Sequence, residues 1–213
     1  MPSNDIFKDR KEAGRELAEL LQEFKDSNSI VLALPRGGVI TGKEVANELN
    51  LPLDIIVTRK IGAPKNAEYS IGAIDVDGDC TMNEDELSGI DIKCLEEEKE
   101  KEFKEAKRRW ALYRGTRGPL VLTDKIAIIV DDGIATGMTI RAAANYAKKL
   151  KASKIIVASP VAPPEVVNQL KDKMDLHVLK TPSDFFAIGA FYEDFPQIND
   201  EEVIEILKNK LKS

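Results

Sequence analysis

Two adjacent carboxylates, Asp131 and Asp132, directly follow the apolar run Ile126–Val130 and precede Gly133-Ile134-Ala135-Thr136-Gly137-Met138-Thr139. That order of residue types suits one kind of chemistry. Gly133 and Gly137 allow tight turning and close approach of backbone to a ligand. The amides from about Ala135 to Thr139 fall at the start of a helical pattern, where unpaired N–H donors and the helix dipole favour an anion. Thr136 and Thr139 add hydroxyl donors at the same place. Carboxylates beside an anion site repel anions, so they need a different partner. The hydroxyls of a diol donate well to carboxylates, and a phosphorylated ribose would satisfy both halves of the segment. A plainer reading has the aspartates capping a turn and the threonines capping the helix. It explains one aspartate and one threonine more easily than all four.

The rest of the chain must supply a scaffold that presents this loop. Ser29–Leu34 is a continuous apolar run ended by Pro35-Arg36-Gly37-Gly38, and Leu53–Thr58 is a second, ending at Arg59-Lys60. Continuous apolarity points to strands covered on both faces, as in a parallel sheet. Helical spacing appears at 10–25, 39–49, 91–114, 138–150 and 163–173, with further strands at 125–130, 154–159 and 176–180. Repeated strand–helix order predicts an α/β fold, a mostly parallel twisted sheet with helices on both faces. Such sheets bind ligands at the carboxyl ends of their strands, where residues 35–38, 59–60 and 131–139 fall. Residues 61–116 interrupt the alternation, with Gly62, Pro64, Gly72, Gly78 and Gly89 ahead of the long helical stretch. They read as an inserted loop or hairpin plus helix within one domain, 1–213.

Composition narrows the alternatives. With 213 residues, 43% hydrophobic and 32% charged, the chain can bury a core within a single large α/β unit. A net charge of −6 argues against nonspecific nucleic-acid binding. The basic stretch 104–117 follows an acidic one, which is the order that a helix dipole favours. No run approaches the roughly 18 to 20 apolar residues that span a bilayer, and the first residues lack the apolar core of a signal peptide. A cytoplasmic protein without membrane contact is therefore expected. Cys80 and Cys94 are too few and too far apart for a disulfide framework or a zinc site. His177, the single histidine, lacks partners in the pattern and is assigned no role.

Ile128-Ile129-Val130-Asp131-Asp132-Gly133-Ile134-Ala135-Thr136-Gly137-Met138-Thr139 resembles the phosphoribosyl-pyrophosphate (PRPP) motif of the type I phosphoribosyltransferases. The segments PKNAEYSIGAI, APPE at 162–165 and FFAIGAFYEDF at 185–195 extend the likeness over nearly the whole chain. They are similar to a branch in which some members are fused to a dienelactone hydrolase-like domain. The resemblance implies that Asp131 and Asp132 hold the ribose hydroxyls and Ala135, Thr136, Gly137, Met138 and Thr139 the 5-phosphate. Arg36, Gly37 and Gly38 would face the diphosphate, with Arg59 and Lys60 adding charge and the Arg36–Gly37 bond the one expected to be strained or cis. Mg²⁺ would accompany PRPP, with Asp131, Asp132 and Glu193 as ligands. Phe186 would stack on the acceptor, and residues 61–78 would form a mobile loop over the site.

The activity implied is transfer of the 5-phosphoribosyl group of PRPP to a nitrogen of a nucleobase or related acceptor, with release of diphosphate. The chain departs from the hypoxanthine–guanine pattern at Ala135, where those enzymes carry an aspartate, which counts against a 6-oxopurine acceptor. The alternatives are a regulatory protein that binds PRPP or a nucleotide without catalysis, and a subunit serving a partner hydrolase. Dimers are common in the family, so a homodimer is expected.

Overall fold

The computed structural model describes residues 6–63 and 66–209. Five strands form one parallel sheet in the order β2-β1-β6-β7-β8. These are β1 (Ser29–Ala33), β2 (Leu53–Ile55), β6 (Ile126–Val130), β7 (Lys154–Val161) and β8 (Asp175–Lys180). All five residues of β1 are buried, as expected of a strand covered on both faces.

The connections give the sheet its working edge. From β1 the chain passes through α2 (Gly38–Glu48) to β2 on one side. From β6 it passes through α4 (Met138–Lys149) to β7 on the other. Right-handed crossovers running in opposite directions put α2 and α4 on opposite faces. β1 and β6 are neighbours, registered from Ser29 opposite Ile126 to Ala33 opposite Val130. The sheet's switch point therefore lies between them, and the loops that leave both strands flank one crevice. Helix α1 (Arg10–Leu20) packs on α2, starting at an Asp9 cap that accepts from the amides of Lys11 and Glu12. Helices α5 (Pro164–Leu170) and α6 (Asp200–Asn209) complete the layers.

Two expectations are corrected. The run Leu53–Thr58 is not one strand. It leaves the parallel sheet after Ile55, and Thr58–Ala63 begins a separate antiparallel sheet of β3 (Thr58–Ala63), β4 (Asn66–Asp75) and β5 (Cys80–Met82). A continuous apolar run carries no mark at the residue where a chain changes sheets. The stretch 61–78, expected as a mobile loop, is largely strand in its described part. Ile61, Ile71 and Ile74 are buried there against Leu95 and Phe103 of α3 (Ile92–Arg114). The expected loop residues 64 and 65 lie outside the described residues.

Helix α3 falls on the expected helical stretch 91–114, with Ala106 and Tyr113 buried and Trp110 edge-on to Tyr146 at 6.3 Å. It is clamped to the main sheet by Arg114, whose Nη2 lies 2.8 Å from Asp54 Oδ2 and whose Nε lies 3.2 Å from Oδ1. Among the described residues no helix is long and apolar enough to cross a membrane. His177 meets Asp175 at 3.0 Å, and both cysteines are free and exposed.

Candidate active site

The loops after β1 and β6 are in direct contact. A Cβ placed on Gly37 would lie 1.9 Å from Asp132 Oδ2, and one on Gly38 would lie 2.8 Å from Asp131 Oδ1. Only residues without a side chain allow this approach. Pro35-Arg36-Gly37-Gly38 and Asp131-Asp132, far apart in sequence, thus form one surface. The bond before Arg36, Pro35–Arg36, is the cis one, a position earlier than expected.

The two aspartates differ. Asp132 is buried and its Oδ2 sits 2.6 Å from Arg10 Nε, an ion pair with both side chains largely shielded from water. Arg10 is held in turn by the Pro196 carbonyl at 2.8 Å and by the Phe195 ring, 3.6 Å beneath its guanidinium. The Tyr192 hydroxyl donates to the Asp132 carbonyl oxygen at 2.6 Å. Asp131 is half-buried and its Oδ1 accepts the Asp132 amide at 2.9 Å. Desolvation, and then the neighbouring Asp132 charge, push its carboxyl well above the usual carboxylate range. Among the described residues the Asp132 amide and the Arg10 charge only partly offset this, so a further donor or cation would be favoured at Asp131.

The anion loop follows. Gly137 adopts φ 74°, a left-handed turn that suits glycine, and α4 begins at Met138 with no side-chain cap. Its first amides are left for a ligand. Ala135 and Thr136 are exposed, and Thr139 is half-buried with its carbonyl accepting from Thr58 Oγ1 at 3.3 Å. The Met138 side chain is packed against Ala73 and Ala142, so Met138 offers only its backbone.

The remaining candidates are distributed as follows. Arg36 is half-exposed, with Nη1 3.8 Å from Asp200 Oδ1, and shares a 250 Å³ cavity with Arg10, Gly37 and Phe195. Arg59 and Lys60 lie inside β3, not at a strand end, and alternation sends them to opposite faces. Arg59 turns to α3, where its Nε is 2.7 Å from Glu102 Oε2. Lys60 pairs across with Ala73, on the face that packs against Met138. Only Lys60 is thus on the side of the anion loop. A 660 Å³ groove along α3 takes in Arg59 and Arg108, but surface ion pairs such as Lys104–Glu100 wall it and neither loop reaches it.

Phe186 is 91% exposed. It lies two residues before Ile188, whose Cγ2 would be 2.4 Å from a Cβ on Gly133. Glu193 is exposed and its amide donates to the Phe7 carbonyl. Among the described residues no three acids, histidines or cysteines gather to hold a metal, so Glu193 does not join Asp131 and Asp132.

Arg10, Tyr192 and Asp200 belong to this site and are missing from the sequence reading. Arg10 had one signal: a cation at the first position of a helix opposes the macrodipole and calls for an acidic partner. Tyr192 and Asp200 gave none, because each acts through a contact with a segment far away in sequence.

A parallel α/β sheet with an anion loop and two acids at its switch point defines a class of phosphate-ligand binding proteins. The chain belongs to the phosphoribosyl transferase domain family, whose model matches residues 3–195. It is 41% identical over 205 residues to proteins of two Mycobacterium tuberculosis strains that are provisionally named phosphoribosyl transferases. The match takes in 95% of this chain and 46% of theirs, so the chain spans about half the length of these relatives. A solved Thermus thermophilus protein, TT1426, superposes with a TM-score of 0.80 at 37% identity, covering 96% of this chain and 98% of that one. A purine phosphoribosyltransferase from Pyrococcus horikoshii shares the fold, with a TM-score of 0.50 at 21% identity, over 89% of this chain and 92% of its own.

Proposed function

We propose that the switch-point crevice binds PRPP and transfers its 5-phosphoribosyl group to a nitrogen nucleophile, releasing diphosphate. The observation that carries this reading is the contact of Gly37 and Gly38 with Asp132 and Asp131. It puts a surface with Arg36 and a glycine-rich backbone against the acids and the anion loop, as one donor with phosphate at one end and diphosphate at the other requires.

In this reading the amides of Ala135–Thr139 and the threonine hydroxyls hold the 5-phosphate. Asp131 accepts the ribose hydroxyls, which supply the further donors favoured there. Asp132 is a positioning residue: held by Arg10, it fixes the loop against Gly37. Arg36, with Lys60 from β3, bears on the departing diphosphate. The acceptor nitrogen forms a bond to C1 as the C1–O bond breaks and its electron pair leaves with diphosphate; the nitrogen then gives up a proton. The chain's contribution is positioning and stabilisation of the charge that develops on the leaving group.

The donor set at Asp131 fits Mg²⁺, a hard cation that takes carboxylate oxygens and keeps waters and phosphate oxygens as its other ligands. Bound there with PRPP, Mg²⁺ would neutralise diphosphate charge. Phe186, exposed at the end of the Phe185-Phe186 pair, offers a ring for a planar acceptor, and Ala135 removes the acid expected for a 6-oxopurine.

The test is a panel of bases and amines incubated with PRPP and Mg²⁺, with diphosphate release and product mass measured. Acceptor-dependent release is expected. PRPP bound but never consumed by any acceptor would favour a regulatory protein. The relatives' greater length favours a second reading in which the site serves a further domain; a copurifying hydrolase that consumes the product would support it.

A further inference from the structure

The outer side of the anion loop opens into a 490 Å³ groove bounded by Ala135, Thr136 and Met138 of the loop, Gln169 and Lys173 near α5, and Ser70 of β4. Arg141 lines it, three residues into α4. A helical side chain leans toward the helix N-terminus, so Arg141 reaches back over the turn that begins at Gly137. Its position is unfavourable twice over. A cation close to the start of a helix opposes the macrodipole. In addition, its Nε is shut off from water without any hydrogen-bond partner among the described residues, and the guanidinium's contact through Nη2 to Gln169 Oε1 is long at 3.3 Å. An anion seated at the loop would offset both costs.

We propose that Arg141 is a side-chain ligand for a phosphate monoester at the Ala135–Thr139 loop, supplementing its backbone amides with a charged donor. The proposal rests on the reading of that loop as the 5-phosphate site and adds a residue from outside the acids-and-loop segment. The groove is not a general cation patch, because Asp85 and Glu165 also line it and Glu86 is engaged by the Tyr69 hydroxyl at 2.7 Å. The anion's place is therefore at the Thr136–Arg141 end. Lys173, exposed on the far side, adds long-range charge.

Calorimetric titration with ribose 5-phosphate tests this on the full chain, using wild type, Arg141→Gln and Arg141→Lys, with melting temperatures measured in parallel. Wild type should bind. Arg141→Gln should bind about 10- to 100-fold more weakly, the loss expected for one charge-assisted hydrogen bond. Arg141→Lys, which keeps the charge, should fall between the two, and neither variant should melt below wild type. Glutamine binding as tightly as arginine would overturn the proposal. So would equal losses in both variants, which would mark a packing role. Wild type that does not bind ribose 5-phosphate at all would overturn the parent reading itself.

Discussion

Asp131 and Asp132 are adjacent and chemically identical, yet they do opposite things for the fold. Sequence alone treats them as an equivalent pair holding the ribose hydroxyls. Arg10 separates them, since its ion pair is with Asp132 and its charge only partly offsets what raises the Asp131 carboxyl. For Asp131 the folded pKa is raised above an unfolded value near 3.9 by desolvation and by Asp132. The fold therefore binds this proton more tightly than the unfolded chain does. The group favours folding below about pH 4, and that contribution is lost as the pH rises through the folded value. At pH 7, Asp131 is a net cost. Asp131→Asn should accordingly raise the melting temperature of the ligand-free protein at pH 7 and narrow its difference from the value at pH 4; a lower melting temperature would contradict this. Asp132→Ala should instead destabilise by about 3–5 kcal/mol, since it strands a buried guanidinium. Denaturant unfolding distinguishes the two. Gly37→Ala should resemble Asp132→Ala, because the new methyl would displace the Asp132 carboxylate from Arg10.

The elements show what can be read from sequence and what cannot. β1, α2, β6, α4, β7 and β8 fall close to where apolar runs and helical spacing put them, because each buries a face that its own pattern declares. The anion loop was legible for the same reason: local residue types set its conformation, and Gly137 takes the left-handed turn that a loop entering a helix uses. β3 was not legible. Ile55-Ile56-Val57-Thr58 reads equally well as one strand or as two strands in different sheets, and the choice is made by the hairpin pairing with β4, which the run itself does not encode. Arg59 lost its expected place by that route, since its neighbour Lys60 faces the loop and Arg59 faces Glu102. The clamp of α3 was equally hidden, because the Asp54–Arg114 pair joins β2 to a helix end 60 residues later. Arg114→Ala should cost about 3–5 kcal/mol in denaturant unfolding by leaving the Asp54 charge buried with the Ile55 amide and the longer Arg117 contact. Replacing Asp54, Arg114 and Arg117 together by apolar residues of similar volume should cost much less, as expected where desolvation has offset much of an ion pair's attraction. A triple variant as unstable as the single one would show that α3 is held by charge itself.

At the scale of the whole molecule, function follows from topology. Crossovers in opposite directions from β1 and β6 leave one crevice, and the two loops that could bind phosphates are the two that flank it. The donor side is written in local sequence patterns. The acceptor side is dispersed: Phe186 is presented to solvent by a segment that Ile188 presses onto Gly133, and no nearby residue pattern names a base. The central claim is that this crevice binds PRPP through Asp131 and the loop after it. Titration of PRPP with Mg²⁺ into wild type and Asp131→Asn, followed by calorimetry, tests it most directly. The account predicts binding to wild type and a loss of at least about 10-fold in the variant, the order expected for a charge-assisted hydrogen bond, while the variant melts no lower than wild type. Equal affinity in the two proteins, or no binding to wild type, would contradict it.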